Sequence, residues 1–251
     1  MLNISLIPAF KDNYIWLLTA GQRAAVVDPG AAAPVLARLE ADGLSLESIL
    51  ITHHHADHQG GVAELAERWR PAVLAPGGES ITGCTQPLRG GERIEILGQA
   101  FEVIAVPGHT LGHLAYYAPG RLFCGDTLFG AGCGRLFEGT PAQMAGSLAR
   151  IAALPDDTRV YCAHEYTEAN LRFAAAVEPD NPDIKDRITR VAQLRAHSQS
   201  SVPSTLGEEK ATNPFLRCTL PAVIAAGLRH GASDASPTAI FAAIRGWRND
   251  F

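Results

Sequence analysis

No run of 18 or more apolar residues occurs in this 251-residue chain, so no membrane-spanning helix is expected. The opening Met1-Leu2-Asn3-Ile4-Ser5-Leu6 lacks a basic segment, a following apolar stretch and a small-residue cleavage site, and no export signal is expected either. Cysteine is sparse: five residues, at 84, 124, 133, 162 and 218, with no C-x-x-C pair. An odd number without paired spacing argues against a disulfide framework and for reduced, mostly buried thiols in a cytoplasmic protein. An excess of positive charge is also missing. The net charge of -5 argues against nucleic acid and anionic membrane surfaces as partners. There is no G-x-S-x-G elbow and no convincing side-chain nucleophile paired with a base. No internal repeat or low-complexity tract is found.

What is present is a concentration of histidine. Thr52-His53-His54-His55-Ala56-Asp57-His58 places imidazoles and a carboxylate at metal-ligand spacing within seven residues. Ser48-Ile49-Leu50-Ile51 ahead of it reads as a buried strand, and Val62, Leu65, Ala66 and Trp69 behind it recur at helical spacing. The cluster is therefore expected on the loop at the carboxyl end of a strand, where open α/β sheets place their ligands. Extended backbone turns His53 and His55 to one side, able to reach one ion, and His54 to the other. Asp57 and His58, beyond the turn, are open to a second ion.

Three further strand ends offer donors. Phe101 to Val106 ends in Pro107-Gly108-His109-Thr110, with Gly108 permitting a sharp turn. Arg121 to Cys124 ends in Gly125-Asp126-Thr127, and Arg159 to Cys162 ends in Ala163-His164-Glu165. A histidine or aspartate after one strand is commonplace; four such ends in one chain indicate a shared site.

THHHADH, PGHTLGH, GDTLF and AHEYT, in that order, resemble the metallo-β-lactamase superfamily. GDTLFGAGCGRLFEGTP (125–141) and GEEKATNPFLR (207–217) narrow the resemblance to the hydroxyacylglutathione hydrolases, or glyoxalases II. The resemblance spans essentially the whole chain. It implies an α/β fold, a metallo-β-lactamase-like four-layer αββα sandwich followed by a small α-helical domain. By the same resemblance His53, His55 and His109 hold one metal ion, Asp57, His58 and His164 a second, and Asp126 bridges them. Two divalent ions per chain are implied. Zinc is the expected one, although nitrogen and carboxylate donors without thiolate suit iron or manganese about equally well. Such ions, when bound, would lower the pKa of a water far enough to supply hydroxide near neutral pH. The implied reaction is hydrolysis of S-(2-hydroxyacyl)glutathione, chiefly the D-lactoyl thioester, as the second step of methylglyoxal detoxification.

Strand and helix signals alternate from Leu2 through His164, and strand signals then vanish, which sets an expected boundary: a metal-binding catalytic domain over 1–165 and a helical substrate-binding domain over 166–251. Leu171 to Val177, Ile184 to Leu194 and Ala239 to Trp247 read as helices, and the polar stretch Ser198 to Pro214 as a long loop. Asp28, at the end of Val26-Val27-Asp28-Pro29-Gly30, is the leading candidate to orient a ligand imidazole, with turn capping as its alternative. His113 is expected in a hydrogen-bonding or structural role.

For an anionic substrate a local cationic patch is needed. Arg135 stands where the family often has lysine, and Phe137 where it often has tyrosine, which removes a hydroxyl contact. Tyr166 follows the His164-Glu165 pair as a nearby phenol. Arg245 and Arg248, at i and i+3, share a face of the last helix, and the resemblance assigns them to glutathione's glycine carboxylate. A monomer is expected, with the acylated glutathione as its only partner.

Overall fold

β-Branched and aliphatic residues crowd the short segments between turns in the first half of the chain, and these segments form strands. The computed structural model describes residues 2–251 and divides into two units, Met1–Ala105 with Thr110–Gly125, and Val106–His109 with Asp126–Phe251.

In the first unit the order is β1 (Asn3–Ala9), β2 (Asn13–Ala20), β3 (Arg23–Val27), α1 (Ala32–Ala41), β4 (Ser45–Leu50), α2 (Ala56–Gln59), α3 (Val62–Trp69), β5 (Ala72–Pro76) and β6 (Gln86–Leu88). These strands make one sheet in sequence order. It is antiparallel from β1 to β3 and parallel from β3 to β6. The parallel pairing of Val27 with Leu50 brings the carboxyl ends of β3 and β4 side by side, so the residues that follow, Asp28 and Ile51-Thr52-His53, emerge together. Ile7, Leu17, Val26, Val35, Leu39, Ile49, Val62 and Leu65 form the core under this sheet, each removed from water. β7 (Arg93–Ile96), β8 (Gln99–Ala105), β9 (Leu114–Ala118) and β10 (Arg121–Gly125) continue the unit as an antiparallel meander. From β9 the buried Tyr116 hydroxyl donates to the Ile51 carbonyl at 2.7 Å, which pins the end of β4 just before the histidines.

The second unit holds a short hairpin, β11 (Leu128–Phe129) and β12 (Gly132–Cys133), then α4 (Pro141–Ala152), β13 (Arg159–Cys162), α5 (Thr167–Val177), α6 (Pro182–Ala196), β14 (Ser204–Thr205), α7 (Leu206–Thr212), a turn of 3₁₀ helix at Pro214–Leu216, α8 (Pro221–Arg229) and α9 (Pro237–Asp250). Leu171, Ala174, Ile184 and Val191 pack α5 against α6. Among the described residues no helix is long and apolar enough to cross a membrane.

Of the stretch expected as a loop, 198–214, residues 199–203 have no regular secondary structure, whereas 204–212 are ordered into β14 and α7. The reason lies in its polarity. The buried face of α7 carries Glu209, fully enclosed and paired with Arg187 of α6 at 2.6 Å, so the apolar periodicity that marks an ordinary helix is missing. The helix is specified instead by its ends. Thr205 accepts a hydrogen bond from Glu208 N, and Glu208 and Glu209 sit in the first turn where the helix dipole favours negative charge.

Candidate metal and substrate site

In the first unit the loop after β4 and the short α2 present His53, His55, Asp57 and His58. His53 Nε2 lies 3.0 Å from His55 Nδ1, and His58 Nε2 lies 3.5 Å from an Asp57 oxygen. The pairs His53/His55 and Asp57/His58 are thus each brought together as the spacing suggested. Asn13, which no sequence signal singled out, donates its side-chain amide to Asp57 at 3.0 Å. His113 stacks on His53 with ring centroids 4.7 Å apart and planes 15° from parallel.

Asp28 organises this cluster. Its Oδ1 accepts from Thr52 N at 2.8 Å and its Oδ2 from Thr52 Oγ1 at 2.8 Å. The same Oδ2 stands 3.1 Å from His58 Nδ1. A carboxylate only accepts, so His58 carries its proton on Nδ1 and turns the Nε2 lone pair outward. Thr52, having given its hydroxyl proton to Asp28, accepts from His53 Nδ1 at 3.0 Å, which fixes the same tautomer there. Thr52 opens the histidine motif, yet nothing in the sequence foretold that its hydroxyl relays Asp28 to His53.

The second unit contributes His109, Asp126 and His164. Asp126 Oδ2 lies 3.4 Å from His109 Nε2, and Oδ1 lies 3.4 Å from His164 Nε2. One carboxylate thus offers each of its oxygens to a different imidazole. His109 Nδ1 donates to the Arg135 carbonyl at 2.8 Å, again leaving Nε2 as the lone-pair nitrogen. Tyr166 stacks on His164 at 4.7 Å with planes 6° apart, and Phe137 stands edge-on to His109 at 5.2 Å. Phe137 is 62% exposed, an apolar ring held in water where a hydroxyl would be easily solvated.

Beside these groups in the same unit is a cleft lined by Phe129, Cys133, Arg135, Tyr166, Asn170, Arg245, Arg248 and Asn249. It carries three guanidinium groups and no carboxylate. Arg135 and Arg245 also border a neighbouring cleft with Phe137. Arg245 is buried, donates to the Cys133 carbonyl at 3.1 Å and to Asn249 at 2.8 Å, and leaves its Nε without a protein partner. Arg248 donates to Asn170 at 3.3 Å, and burial followed by repulsion from Arg245 pulls its pKa below the usual guanidinium value. An unneutralised cluster of this kind favours an anion with planar oxygen pairs. The Cys133 thiol at its edge is pushed up to about 11 by burial, and Cys162 to about 12, so neither is a thiolate nucleophile near neutral pH.

The set therefore fits metal ions: nitrogen and carboxylate donors only, with the histidine tautomers at 53, 58 and 109 fixed by partners that hold Nδ1 and leave Nε2 to coordinate.

Comparison with known proteins agrees. The metallo-β-lactamase superfamily model matches residues 10–164, and the model for the hydroxyacylglutathione hydrolase C-terminus matches residues 165–251. A hydroxyacylglutathione hydrolase of Dechloromonas aromatica is 70% identical, and one of Photobacterium profundum 52% identical, each over 100% of both chains. Among solved structures, ETHE1 from Myxococcus xanthus superposes with a TM-score of 0.67 at 24% identity, covering 98% of both chains, which shows the α/β fold. TTHA1623 in a di-iron-bound form superposes at 0.58 with 29% identity, over 81% of this chain and 95% of that one.

Proposed function

The chain belongs to the hydroxyacylglutathione hydrolases of the metallo-β-lactamase superfamily, and on that footing we propose that it cleaves S-(2-hydroxyacyl)glutathione, chiefly the D-lactoyl thioester, with seven side chains and two divalent metal ions. The observation that carries this reading is the Asp126 carboxylate divided between His109 and His164 within a unit that also holds a three-arginine cleft.

His53, His55 and His109 would hold one ion, Asp57, His58 and His164 the other, and Asp126 would bridge them. When bound, such ions supply Lewis acidity for the acyl carbonyl and a water acidic enough to ionise near neutral pH. Zinc is the ion we favour, and the di-iron form of TTHA1623 supports iron as the alternative. The chain's own groups do the rest. Asp28, directly and through Thr52, holds Nδ1 of His58 and His53 so that their Nε2 lone pairs would be available to the ions, and Asn13 fixes the Asp57 carboxylate. Arg245 and Arg248 bind a glutathione carboxylate, Arg135 adds a third cation, and Tyr166 offers a hydroxyl that Phe137 cannot. Water adds to the acyl carbon, the C–S bond breaks, and the thiolate departs without a strong general acid because its conjugate thiol has a pKa of roughly 8.5. Residues 1–165 are then the metal-binding domain and 166–251 the helical domain that supplies Tyr166, Arg245 and Arg248. We assign the enzyme to the cytoplasm, in keeping with five cysteines that form no disulfide, and take it to be a monomer.

Replacing both Arg245 and Arg248 with Ala separates substrate binding from catalysis. A remote carboxylate contact predicts that KM for S-D-lactoylglutathione rises several-fold to about 100-fold, with a smaller effect on a simple thioester lacking that carboxylate. An unchanged KM would remove both arginines from the site and leave Arg135 and Lys210 as the remaining candidate cations.

A further inference from the structure

The GEEKATNPFLR segment has so far been a family mark without a task. Its side chains reach the β11–β12 hairpin. Glu209, fully buried on α7, accepts from Ala131 N at 2.8 Å and from the Asn213 amide at 3.2 Å through the same oxygen. Asn213, equally buried, donates to the Gly132 carbonyl at 2.9 Å and the Phe129 carbonyl at 3.3 Å. From α5, Asn170 donates to the Gly130 carbonyl at 3.0 Å. Every residue from 129 to 132 therefore has a backbone group held by a side chain of a helix or helix end.

The hairpin could not take this shape unaided. Ala131 sits at φ +53°, a left-handed conformation disfavoured for a residue with a Cβ. The glycines on either side let the helix side chains approach closely, because a Cβ on Gly130 would lie 2.2 Å from Thr167 Oγ1 and one on Gly132 2.3 Å from Asn170 Nδ2, so that either would displace its neighbour. A strained turn persists where its surroundings over-determine it, and here the surroundings are Glu209, Asn213, Asn170 and Thr167.

What the turn connects gives the clamp its consequence. Asp126 lies two residues before β11, and the β12 residue Cys133 supplies the carbonyl that holds Arg245. We propose that Glu209 and Asn213 are positioning residues for the reaction, setting Asp126 at one end of the hairpin and Arg245 at the other. The inference rests on the reading above, in which those two residues serve thioester hydrolysis.

Glu209 also pairs with the buried Arg187, so removing it alone would strand a charge and threaten the fold. The test therefore compares two full-length double variants in which that charge is gone. Arg187→Met with Glu209→Gln keeps an acceptor for Ala131 N; Arg187→Met with Glu209→Leu does not. Positioning predicts that the Gln variant retains near-normal kcat and KM. The Leu variant should lose ~10-fold or more in kcat/KM, as is typical when the support of a ligand is removed, with KM for S-D-lactoylglutathione raised as well. A merely structural role would reduce the active fraction and leave KM unchanged in both. Equal kcat and KM in the two variants would overturn the proposal. Should either variant fail to fold, hydrogen exchange on the wild type decides: protection of the Ala131 amide comparable to the helix cores supports the clamp, and exchange at the rate of an exposed loop overturns it. That measurement stands even if the wild type proves to have no thioesterase activity, an outcome that would sink the functional reading instead.

Discussion

Stripping the purified enzyme with a strong chelator should abolish thioester hydrolysis, and about two equivalents of divalent ion per chain should restore it. The expectation follows from the donors and from the lack of a substitute nucleophile. Imidazole and carboxylate groups are gathered in both units with the tautomers at 53, 58 and 109 set for coordination. Burial keeps the Cys133 and Cys162 thiols protonated, at about 11 and about 12. Without ions, water would no longer be acidified toward neutral pH, so the residual rate should lie at least ~1,000-fold below that of the loaded enzyme. Full activity in excess chelator, or complete recovery at one tightly bound ion, would contradict a dinuclear site.

Asp126→Asn should depress kcat by on the order of 100-fold or more, since even changes to groups that merely support a ligand typically cost 10- to 100-fold. The substitution preserves volume and one oxygen but removes the charge and replaces the other oxygen with an amide. Because each oxygen faces a different histidine at 3.4 Å, one of the two contacts must become an amide-to-imidazole contact. Metal content measured beside turnover gives the variant its meaning. A drop in both identifies the bridge, whereas near-normal turnover with two ions still bound would show that Asp126 does not bridge.

Much of the candidate donor set was legible because histidine and aspartate follow the strand ends in a recognisable pattern. Apolar β-branched runs announced β4, β8, β10 and β13, and the histidine or aspartate after each stood out against them. Asp28 was also legible, as an acid ending a strand whose parallel neighbour leads into the histidines. The groups that act through hydrogen bonds to other donors were not. Thr52, Asn13 and Asn170 have no spacing that separates them from ordinary turn, strand or helix residues, and their roles arise only from contacts 24, 44 and 40 positions distant in sequence. Helix α7 was hidden for a related reason, since its buried side is a charged residue satisfied by Arg187 rather than an apolar stripe. The departures at 135 and 137 could be named from the sequence, but their geometry could not: Arg135 supplies a backbone carbonyl to His109 as well as a guanidinium to the cleft.

The most direct test of the account follows the thioester absorbance of S-D-lactoylglutathione in the ultraviolet with the metal-loaded enzyme, while free thiol and D-lactate are assayed in the same sample. The account predicts catalytic loss of absorbance with glutathione and D-lactate formed in equal amounts, abolished by chelator. An undiminished thioester signal with two ions bound per chain would contradict it.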